Sequence, residues 1–261
     1  MRRIVHLAAV CLVVPGLIGL AGCGRNKAIH EAAWNGDVAR VEALLKANPD
    51  LVNCRDNLGD TPLGCAAHQG HADVAERLLA NRAEVNVTNG FGWTPLHEAA
   101  IRGHQDVAEL LLANKADVRA ADNQGGTPLH CAAMKGNIGV AALLLANQAD
   151  VNARDNVGDT PLHYATNQEM AKLLLANKAD VNARNNDGWT PLHEAAMSAR
   201  QDVAELLLAN QADINATNNR GETPLRRVVA LSTDRRYTPE TEWGKRNQDM
   251  IKWLRQHGGH E

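Results

Sequence analysis

The sequence is poor in aromatic residues and in cysteine, and neither sign of charge dominates it. Aromatic residues make up 3% of the 261 residues, with a single Phe. A conventional closed core usually draws on aromatic side chains for bulk, so this chain is expected to bury Leu, Val and Ala between short, closely packed helices. The formal net charge of −3 is too small to indicate nucleic acid as a partner.

The five cysteines do not form a disulfide framework. Cys11 lies in an apolar N-terminal run, and Cys23 follows that run. The other three are Cys54, Cys65 and Cys131, an odd number without any Cys-x-x-Cys spacing. We interpret them as small, partly buried residues, with a reactive thiol as the alternative.

The N-terminus has the pattern of an export signal. A basic start, Met1-Arg2-Arg3, precedes an apolar run from Ile4 to Leu20, and Leu20-Ala21-Gly22-Cys23 follows. This tetrapeptide resembles the lipobox of bacterial lipoproteins, in which the Cys receives a diacylglycerol and becomes the first residue after cleavage. The resemblance predicts a signal peptide over residues 1–22 and lipidation of Cys23. An ordinary cleaved signal and an uncleaved anchor helix are the alternatives.

An internal repeat dominates the rest of the chain. The tripeptide Thr-Pro-Leu begins at Thr61, Thr94, Thr127, Thr160, Thr190 and Thr223, with intervals of 33, 33, 33, 30 and 33 residues. A Gly stands two residues before each of these Thr residues, and four copies continue with His: His97, His130, His163 and His193. The period and the signature Thr-Pro-Leu-His-x-Ala resemble the ankyrin repeat.

The resemblance implies an all-α solenoid of about seven helix-turn-helix repeats with projecting turns. Residues 94–126 illustrate one copy: Thr94 and Pro95 suit the start of a helix, and Gly103 suits its end. Both helices of a copy are shorter than the roughly 12–15 residues that are marginally stable alone, so they must stack on neighbouring copies. We assign residues 23–27 to a lipidated tether, 28–231 to repeats, 232–248 to an insertion and 249–261 to a capping helix.

Two departures from the family pattern lead to specific expectations. Where the family usually has Gly after the second helix, this chain has Arg, Lys or Gln preceded by Asn. Because Asn tolerates the left-handed conformation better, we expect it to end these helices. The alternative is that the Lys or Gln itself takes that strain. Residues equivalent to 101–103 are missing after Thr166, which predicts a clipped first helix there.

The histidines and carboxylates do not indicate catalysis. The signature histidines recur once per repeat, and stacked helices lie about 8–10 Å apart, too far for neighbouring copies to share a zinc ion. The family resemblance implies instead that each His bonds back toward its Thr. We therefore expect neither enzymatic activity nor a metal or other cofactor.

The resemblance implies protein binding through the concave side, formed by the projecting turns and the exposed ends of the first helices. The residues at these positions, which we expect to contact a partner, are Trp34, Leu58, Phe91, Trp93, Ile101, Arg102, Met134, Lys135, Val157, Trp189 and Met197. Phe91, Trp93, Ile101, Met134 and Trp189 are expected at the centre. For Trp93 and Trp189, stacking along the turn is the alternative.

These features predict a monomeric, non-catalytic protein-interaction scaffold of the bacterial envelope, anchored to the outer membrane or periplasmic face. Its partner would be a protein, with no nucleic acid. The alternatives are a structural spacer of the envelope, or an inhibitor or immunity protein for an exported enzyme. The segment from Arg226 to Arg255 carries eight Lys or Arg against four Asp or Glu. We interpret it as a solvated cap, with an anionic partner or membrane surface as the alternative.

Overall fold

The chain folds into a stack of seven helical repeats, as the sequence predicts. The computed structural model describes residues 24–232 and 241–261. The first helices of the repeats are α1 (Gly24–Trp34), α3 (Pro62–Gln69), α5 (Pro95–Arg102), α7 (Pro128–Lys135), α10 (Pro191–Met197) and α12 (Pro224–Ser232). The second helices are α2 (Val38–Ala47), α4 (Ala72–Ala80), α6 (Gln105–Ala113), α8 (Ile138–Ala146), α9 (Gln168–Ala176), α11 (Gln201–Ala209) and α13 (Glu242–Gln256). A short 3₁₀ helix, Pro49–Asn53, follows α2.

Three predicted features lie outside the described residues. The signal peptide and Cys23 precede them, and residues 233–240 of the predicted insertion interrupt them. No helix in the described ranges combines the length and apolarity needed to cross a bilayer. Helix α1 begins at Gly24, so residues 24–27 form its first turn rather than an extended tether.

The core is built from aliphatic side chains between two rows of helices. First helices pack on neighbouring first helices, and second helices pack on neighbouring second helices. In α5, for example, Leu96, Ala99 and Ala100 are completely buried, and Val107 and Leu111 of α6 are as well. The small residues permit the close approach of neighbouring helices, so each repeat is stabilised by the repeats beside it.

The first helices begin as predicted. In α5 the Thr94 hydroxyl accepts a hydrogen bond from the His97 N–H at 3.4 Å, and the Thr94 N–H donates to His97 Nδ1 at 3.2 Å. Pro95 occupies the first turn, where its missing N–H costs nothing. Gly103 ends the helix in the left-handed conformation, with φ +80°.

Five second helices end at the predicted Asn residues, but the left-handed conformation expected of the Asn lies one residue later. The residue after each Asn, not the Asn itself, adopts the left-handed conformation: Arg82, Lys115, Gln148, Lys178 and Gln211 have φ between 66° and 69°. In α6, Asn114 retains a right-handed φ of −95°, and its side chain donates to the Leu110 carbonyl at 2.9 Å. The Ala116 N–H then bonds to the Leu111 carbonyl at 2.9 Å, which closes a Schellman motif. The Asn therefore caps the helix through its side chain.

The fifth repeat is clipped, as the three missing residues predict. Residues 161–164 form turns instead of a helix, and the Tyr164 N–H bonds to the Pro161 carbonyl at 3.1 Å. The guanidinium of Arg200, which precedes α11, donates to the Ala165 carbonyl at 3.0 Å. In complete repeats His71 and His104 make the corresponding bond with a shorter side chain. Arg200 thus links the clipped repeat to the next one.

The last repeat closes the stack with a polar outer face. Helix α13 begins at Glu242, seven residues before the predicted boundary at 249, because Thr241 caps it by accepting the Gly244 N–H at 3.0 Å. Met250 and Leu254 are buried against the stack, whereas Lys252 and Arg255 are exposed. A terminal repeat with a polar outer face prevents further stacking.

Candidate protein-binding surface

The projecting turns, here called fingers, are rigid because one Asp or Asn organises each of them. In the second finger, Asn89 Oδ1 accepts the N–H groups of Phe91 and Trp93, both at 3.0 Å. The same position, five residues before each Thr, is taken by Asp56, Asn89, Asp122, Asp155, Asn185 and Asn218. Sequence reasoning missed this role, although the recurrence of Asp or Asn there was the available signal.

Neighbouring fingers are also bonded to one another. The Asn123 N–H donates to the Phe91 carbonyl at 3.1 Å, and the Asn123 side chain donates to the Gly90 carbonyl at 3.0 Å. Gly92 has φ +80°, and a Cβ added there would lie 2.6 Å from Asn123 Oδ1. Glycine is therefore required at the finger both for its conformation and for this close approach. The fingers form one continuous edge of the molecule.

A second set of Asn side chains joins the repeats at the ends of the second helices. Asn86 Oδ1 accepts the Asp117 N–H at 2.8 Å, and its Nδ2 donates to the carbonyl of the left-handed residue Lys115 at 3.3 Å. Asn152, Asn182 and Asn215 make the same pair of bonds to the next repeat. The sequence shows these Asn residues as part of the repeat but not what they bond.

The signature histidines have the structural role that the resemblance implies. In addition to the bonds between His97 and Thr94, His97 Nε2–H donates to the Gly126 carbonyl in the next repeat at 3.1 Å. His130, His163 and His193 make equivalent bonds to the following repeat. Burial lowers the pKa of all four rings, and that of His193 to about 4. The rings are consequently neutral links between repeats.

The predicted contact residues differ in exposure. Trp93 and Ile101, placed by the sequence analysis at the centre of an exposed surface, are buried, with 8% and 6% of their surface accessible. Trp93 packs on His97 with 6.4 Å between ring centroids, and its Nε1–H donates to Asp122 Oδ2 at 3.0 Å. The expected exposure of these two residues is therefore wrong: Trp93 stacks along the finger, and Ile101 belongs to the core.

The other predicted residues reach solvent. The half-buried ones are Trp34, Leu58, Phe91, Met134, Trp189 and Met197, and the exposed ones are Arg102, Lys135 and Val157. Among the large apolar residues that the structure describes, Val157 alone is classed as exposed, at 37%. Leu58, Phe91 and Val157 occupy the same position on three different fingers. We call the surface formed by the finger tips and the exposed ends of the first helices the finger-side face.

A polar cluster supports this face in the first three repeats. His68 stacks on Trp34 with 4.9 Å between ring centroids. His68 Nδ1–H donates to Glu98 Oε2 at 2.8 Å, and Arg102 Nη2 donates to His68 Nε2 at 2.7 Å. Glu98 is only 7% exposed, and Asn89 donates to its second oxygen at 3.5 Å. The sequence analysis placed Arg102 on this face but did not identify Glu98, which is linked to Arg102 through His68.

Another cluster lies at the clipped repeat. The Tyr164 hydroxyl donates to Asp155 Oδ2 at 2.7 Å, and the Asn185 side chain donates to Asp159 Oδ1 at 2.6 Å. Asp155 and Asp159 are 6% and 5% exposed. Towards the C-terminus, the guanidinium of Arg227 lies 5.6 Å from the centre of the Trp189 ring. Asp155 and Asp159 are thus both hydrogen-bonded to side chains inside the fold.

The thiols are protected by their surroundings. Cys65 and Cys131 are buried and Cys54 is partly buried. Burial raises the pKa of the Cys54 thiol to about 11 and that of Cys65 well above its usual range. A thiol with a raised pKa is a poor nucleophile because the thiolate is the reactive form. In the described part of the chain no group of three or more His, Cys, Asp or Glu side chains is arranged to hold a metal ion.

Comparison with known proteins agrees with the repeat architecture. The chain is 51% identical over 49 residues to oxysterol-binding protein-related protein 1 of Rattus norvegicus, which covers 18% of this chain and 5% of that relative. It is 37% identical over 51 residues to a putative ankyrin repeat protein of Rickettsia felis, which covers 20% of this chain and 79% of the relative. The chain thus spans about one-twentieth of the length of the first relative.

The model of the family described as "Ankyrin repeats (3 copies)" matches residues 6–89, 29–122, 76–155 and 149–218. These overlapping matches extend over more than half of the chain, and the seven bonded repeats described above account for them physically. The chain belongs to the ankyrin-repeat family.

Proposed function

We propose that this protein is a non-catalytic interaction scaffold of the bacterial envelope, held at the membrane by a lipid on Cys23, which binds a partner protein through its finger-side face. Ankyrin repeats suggest protein-protein interaction, and no enzyme family is indicated. The observation that carries the proposal is the row of accessible apolar side chains Leu58, Phe91 and Val157 on fingers that the backbone holds rigid. A rigid surface loses little conformational entropy when a partner binds.

The apolar finger tips also favour binding over a spacer. A spacer needs only solvated side chains on this face, whereas Phe91 and Val157 expose apolar surface that a contact could bury. Half-buried Trp34, Trp189 and Met197 lie among the predicted contact positions of the same face. Trp and Met are enriched at protein interfaces. The face therefore has the mixed character typical of a transient protein-binding surface.

The non-catalytic part of the proposal rests on how the polar groups are used. The signature histidines bond to Thr residues and to the next repeat, and the buried carboxylates Asp122, Asp155 and Asp159 organise fingers or accept bonds from neighbouring side chains. General acid-base catalysis needs a titratable group within reach of a substrate. These groups already form the hydrogen bonds that hold the fingers and the repeats together.

The lipid anchor would hold the first repeat close to the membrane. Helix α1 begins at Gly24, directly after Cys23. A helical residue advances the chain by about 1.5 Å, so the four residues 24–27 span about 6 Å in place of the roughly 14 Å of an extended tether. The acyl chains of a lipoprotein would give stable retention, which raises the concentration of the scaffold for partners in the same compartment.

Capture of the partner from solubilised membranes tests the proposed face. Replacing both Phe91 and Val157 with Ser should reduce capture more than about tenfold, because two accessible apolar contacts are lost. The matched control is Lys172→Gln, a change at an exposed position on the second helix α9. Circular dichroism spectra and melting temperatures should remain close to those of the unchanged protein. Equal capture by the double variant would contradict the proposed face.

A further inference from the structure

The polar cluster in the first three repeats holds an exposed cation in a defined position. Arg102 is exposed at the end of α5, yet one of its terminal nitrogens is bonded to His68 at 2.7 Å. Since Arg can only donate, His68 Nε2 must accept, which leaves Nδ1–H to donate to Glu98. Glu98 is thus linked to the guanidinium only through the His68 ring, which donates to Glu98 and accepts from Arg102. Buried Glu98 therefore holds the Arg102 guanidinium in place through His68, and the guanidinium itself stays exposed to solvent.

Glu98 is buried and Asp60 is partly buried, whereas Arg102 is exposed. Glu98 is 7% exposed and bonded to His68 and Asn89. Asp60 accepts the Asn89 side chain at 2.8 Å, and burial raises its pKa to about 6. In the part of the chain that the structure describes, no carboxylate oxygen lies within 4.0 Å of the cationic nitrogens of Arg102. Solvent therefore meets positive charge in this part of the face.

A second cation occupies the equivalent position in the next repeat. Lys135 ends α7 as Arg102 ends α5, and it is exposed. Equivalent positions on packed neighbouring helices are separated by about 8–10 Å. Arg77 on the second helix α4, by contrast, pairs with Glu42 at 2.7 Å. Arg102 and Lys135 thus form a short row of exposed basic side chains, and neither forms an ion pair with a carboxylate of the described residues.

An aromatic ring borders this row. Trp34 is half-buried and stacks on His68, the side chain that holds Arg102. The finger that contains Asn89, which bonds to Glu98, also carries the accessible Phe91 at its tip. A ligand that bonds to Arg102 would therefore lie near the Trp34 ring, and Phe91 belongs to the same finger-side face. A guanidinium held in a fixed plane is suited to bidentate recognition of a carboxylate.

We propose that Arg102, supported by Lys135 and bordered by Trp34 and Phe91, anchors an acidic peptide segment of a partner protein in which a carboxylate lies next to a large apolar side chain. This inference deepens the proposed protein-binding function and rests on it. Arg102 would contact the carboxylate directly. His68 and Glu98 would act as positioning residues, because they hold the guanidinium and do not reach the ligand themselves.

The test uses random peptides displayed on phage and selected on the full-length chain in detergent. Selected peptides should be enriched in Asp or Glu adjacent to Leu, Ile, Val, Phe or Trp. Arg102→Gln should weaken the binding of a selected synthetic peptide, measured by fluorescence anisotropy, more than about tenfold, while Arg77→Gln should leave it within about twofold. His68→Gln should weaken binding less than Arg102→Gln. An unchanged melting temperature in each variant excludes loss of the fold.

The outcomes separate this inference from the proposed function. Enrichment of basic or neutral peptides, or equal binding to Arg102→Gln, overturns the role of Arg102. If such peptides still lose binding when Phe91 and Val157 are replaced with Ser, the finger-side face remains the binding surface and only the acidic partner is wrong. If the selection enriches no sequence and no partner is captured from membranes, both proposals fail.

Discussion

At the scale of the residue, several positions adopt a backbone conformation that is unfavourable for the residue found there. Five non-glycine residues, among them Lys115, hold the left-handed conformation after the second helices. This conformation costs an L-residue about 1–2 kcal/mol. The side-chain cap from the preceding Asn and the Schellman bonds offset part of that cost. The chain therefore retains a local source of instability in most of its repeats.

Replacing Lys115 with Gly should stabilise the protein. Lys115 has φ +66° and an exposed side chain, so Gly removes the conformational cost and loses no packing. After the larger backbone entropy of Gly in the unfolded chain is subtracted, we expect the free energy of unfolding to rise by about 0.5–1 kcal/mol in urea titration. The matched change Lys172→Gly, inside helix α9, should lower it by about 1 kcal/mol. A decrease in both variants would contradict the explanation.

The buried histidines should make stability depend on pH. The pKa of His193 falls from 6.5 to about 4 in the folded protein, so the unfolded chain binds the extra proton first as the pH is lowered. The neutral His193 ring therefore contributes about 3 kcal/mol to the free energy of unfolding above pH 6.5. This contribution is lost as the pH falls from 6.5 to about 4. The pKa values of His97, His130 and His163 are lowered too.

Asp60 acts in the opposite direction, because its pKa rises from 3.8 to about 6 on folding. The pH-dependent contribution of Asp60 to stability is similar in size and opposite in sign to that of His193. Urea titrations monitored by circular dichroism should therefore show a clear loss of stability from pH 7.5 to pH 5. A free energy of unfolding that does not change over this range would show that the histidines are not held neutral by the fold.

At the scale of the element, the packing around the end of a first helix determines whether an apolar residue there can contact a partner or is buried in the core. Ile101, Met134 and Met197 occupy equivalent positions, yet Ile101 is 6% exposed while the two Met residues are half-buried. The clipped fifth repeat shows the same dependence on context. Without its first helix, the link to the next repeat needs the longer side chain of Arg200.

Replacing Ile101 with Ser should destabilise the fold. The change leaves a cavity and introduces a hydroxyl into a buried site, so we expect a loss of about 2–4 kcal/mol in the free energy of unfolding. Phe91→Ser at the finger tip should cost less than about 1 kcal/mol, because Phe91 is only half-buried. Similar losses in the two variants would mean that the assignment of Ile101 to the core is incorrect. Thermal and urea unfolding measure both.

At the scale of the whole molecule, a linear stack offers one long face for binding and two ends with different tasks. The C-terminal end is closed by α13, and the tail continues the bonds between repeats, since the Thr223 hydroxyl donates to the His260 carbonyl at 2.6 Å. The N-terminal end begins with α1 at Gly24. On the proposed function, this end lies at the membrane and the binding face extends away from it or along it.

Replacing Cys23 with Ala should abolish lipid attachment. The expected result is an unprocessed precursor that does not incorporate radiolabelled fatty acid and that is absent from the membrane fraction in its mature form. The control is Cys54→Ala, which removes a partly buried thiol of the second repeat and should leave labelling intact. Labelling of the Cys23→Ala protein at the same level as the unchanged protein would exclude the lipoprotein assignment.

The sequence by itself determined the repeat register, the Thr-Pro starts of the first helices, the clipped fifth repeat and the aliphatic core. These features depend on residues close together in the chain, and each copy of the repeat supports the others. Only the tertiary structure decided that Lys115 and not Asn114 is left-handed, that Trp93 and Ile101 are buried, and that Glu98 joins His68 to Arg102. The conformation of Lys115 follows from which bonds close the helix end, whereas the others depend on packing or bonds beyond the local pattern, and those of Trp93 and Arg102 are made with residues about thirty positions away. Repeat periodicity places such residues in neighbouring copies, but side-chain length and the space left by neighbours decide which atoms meet.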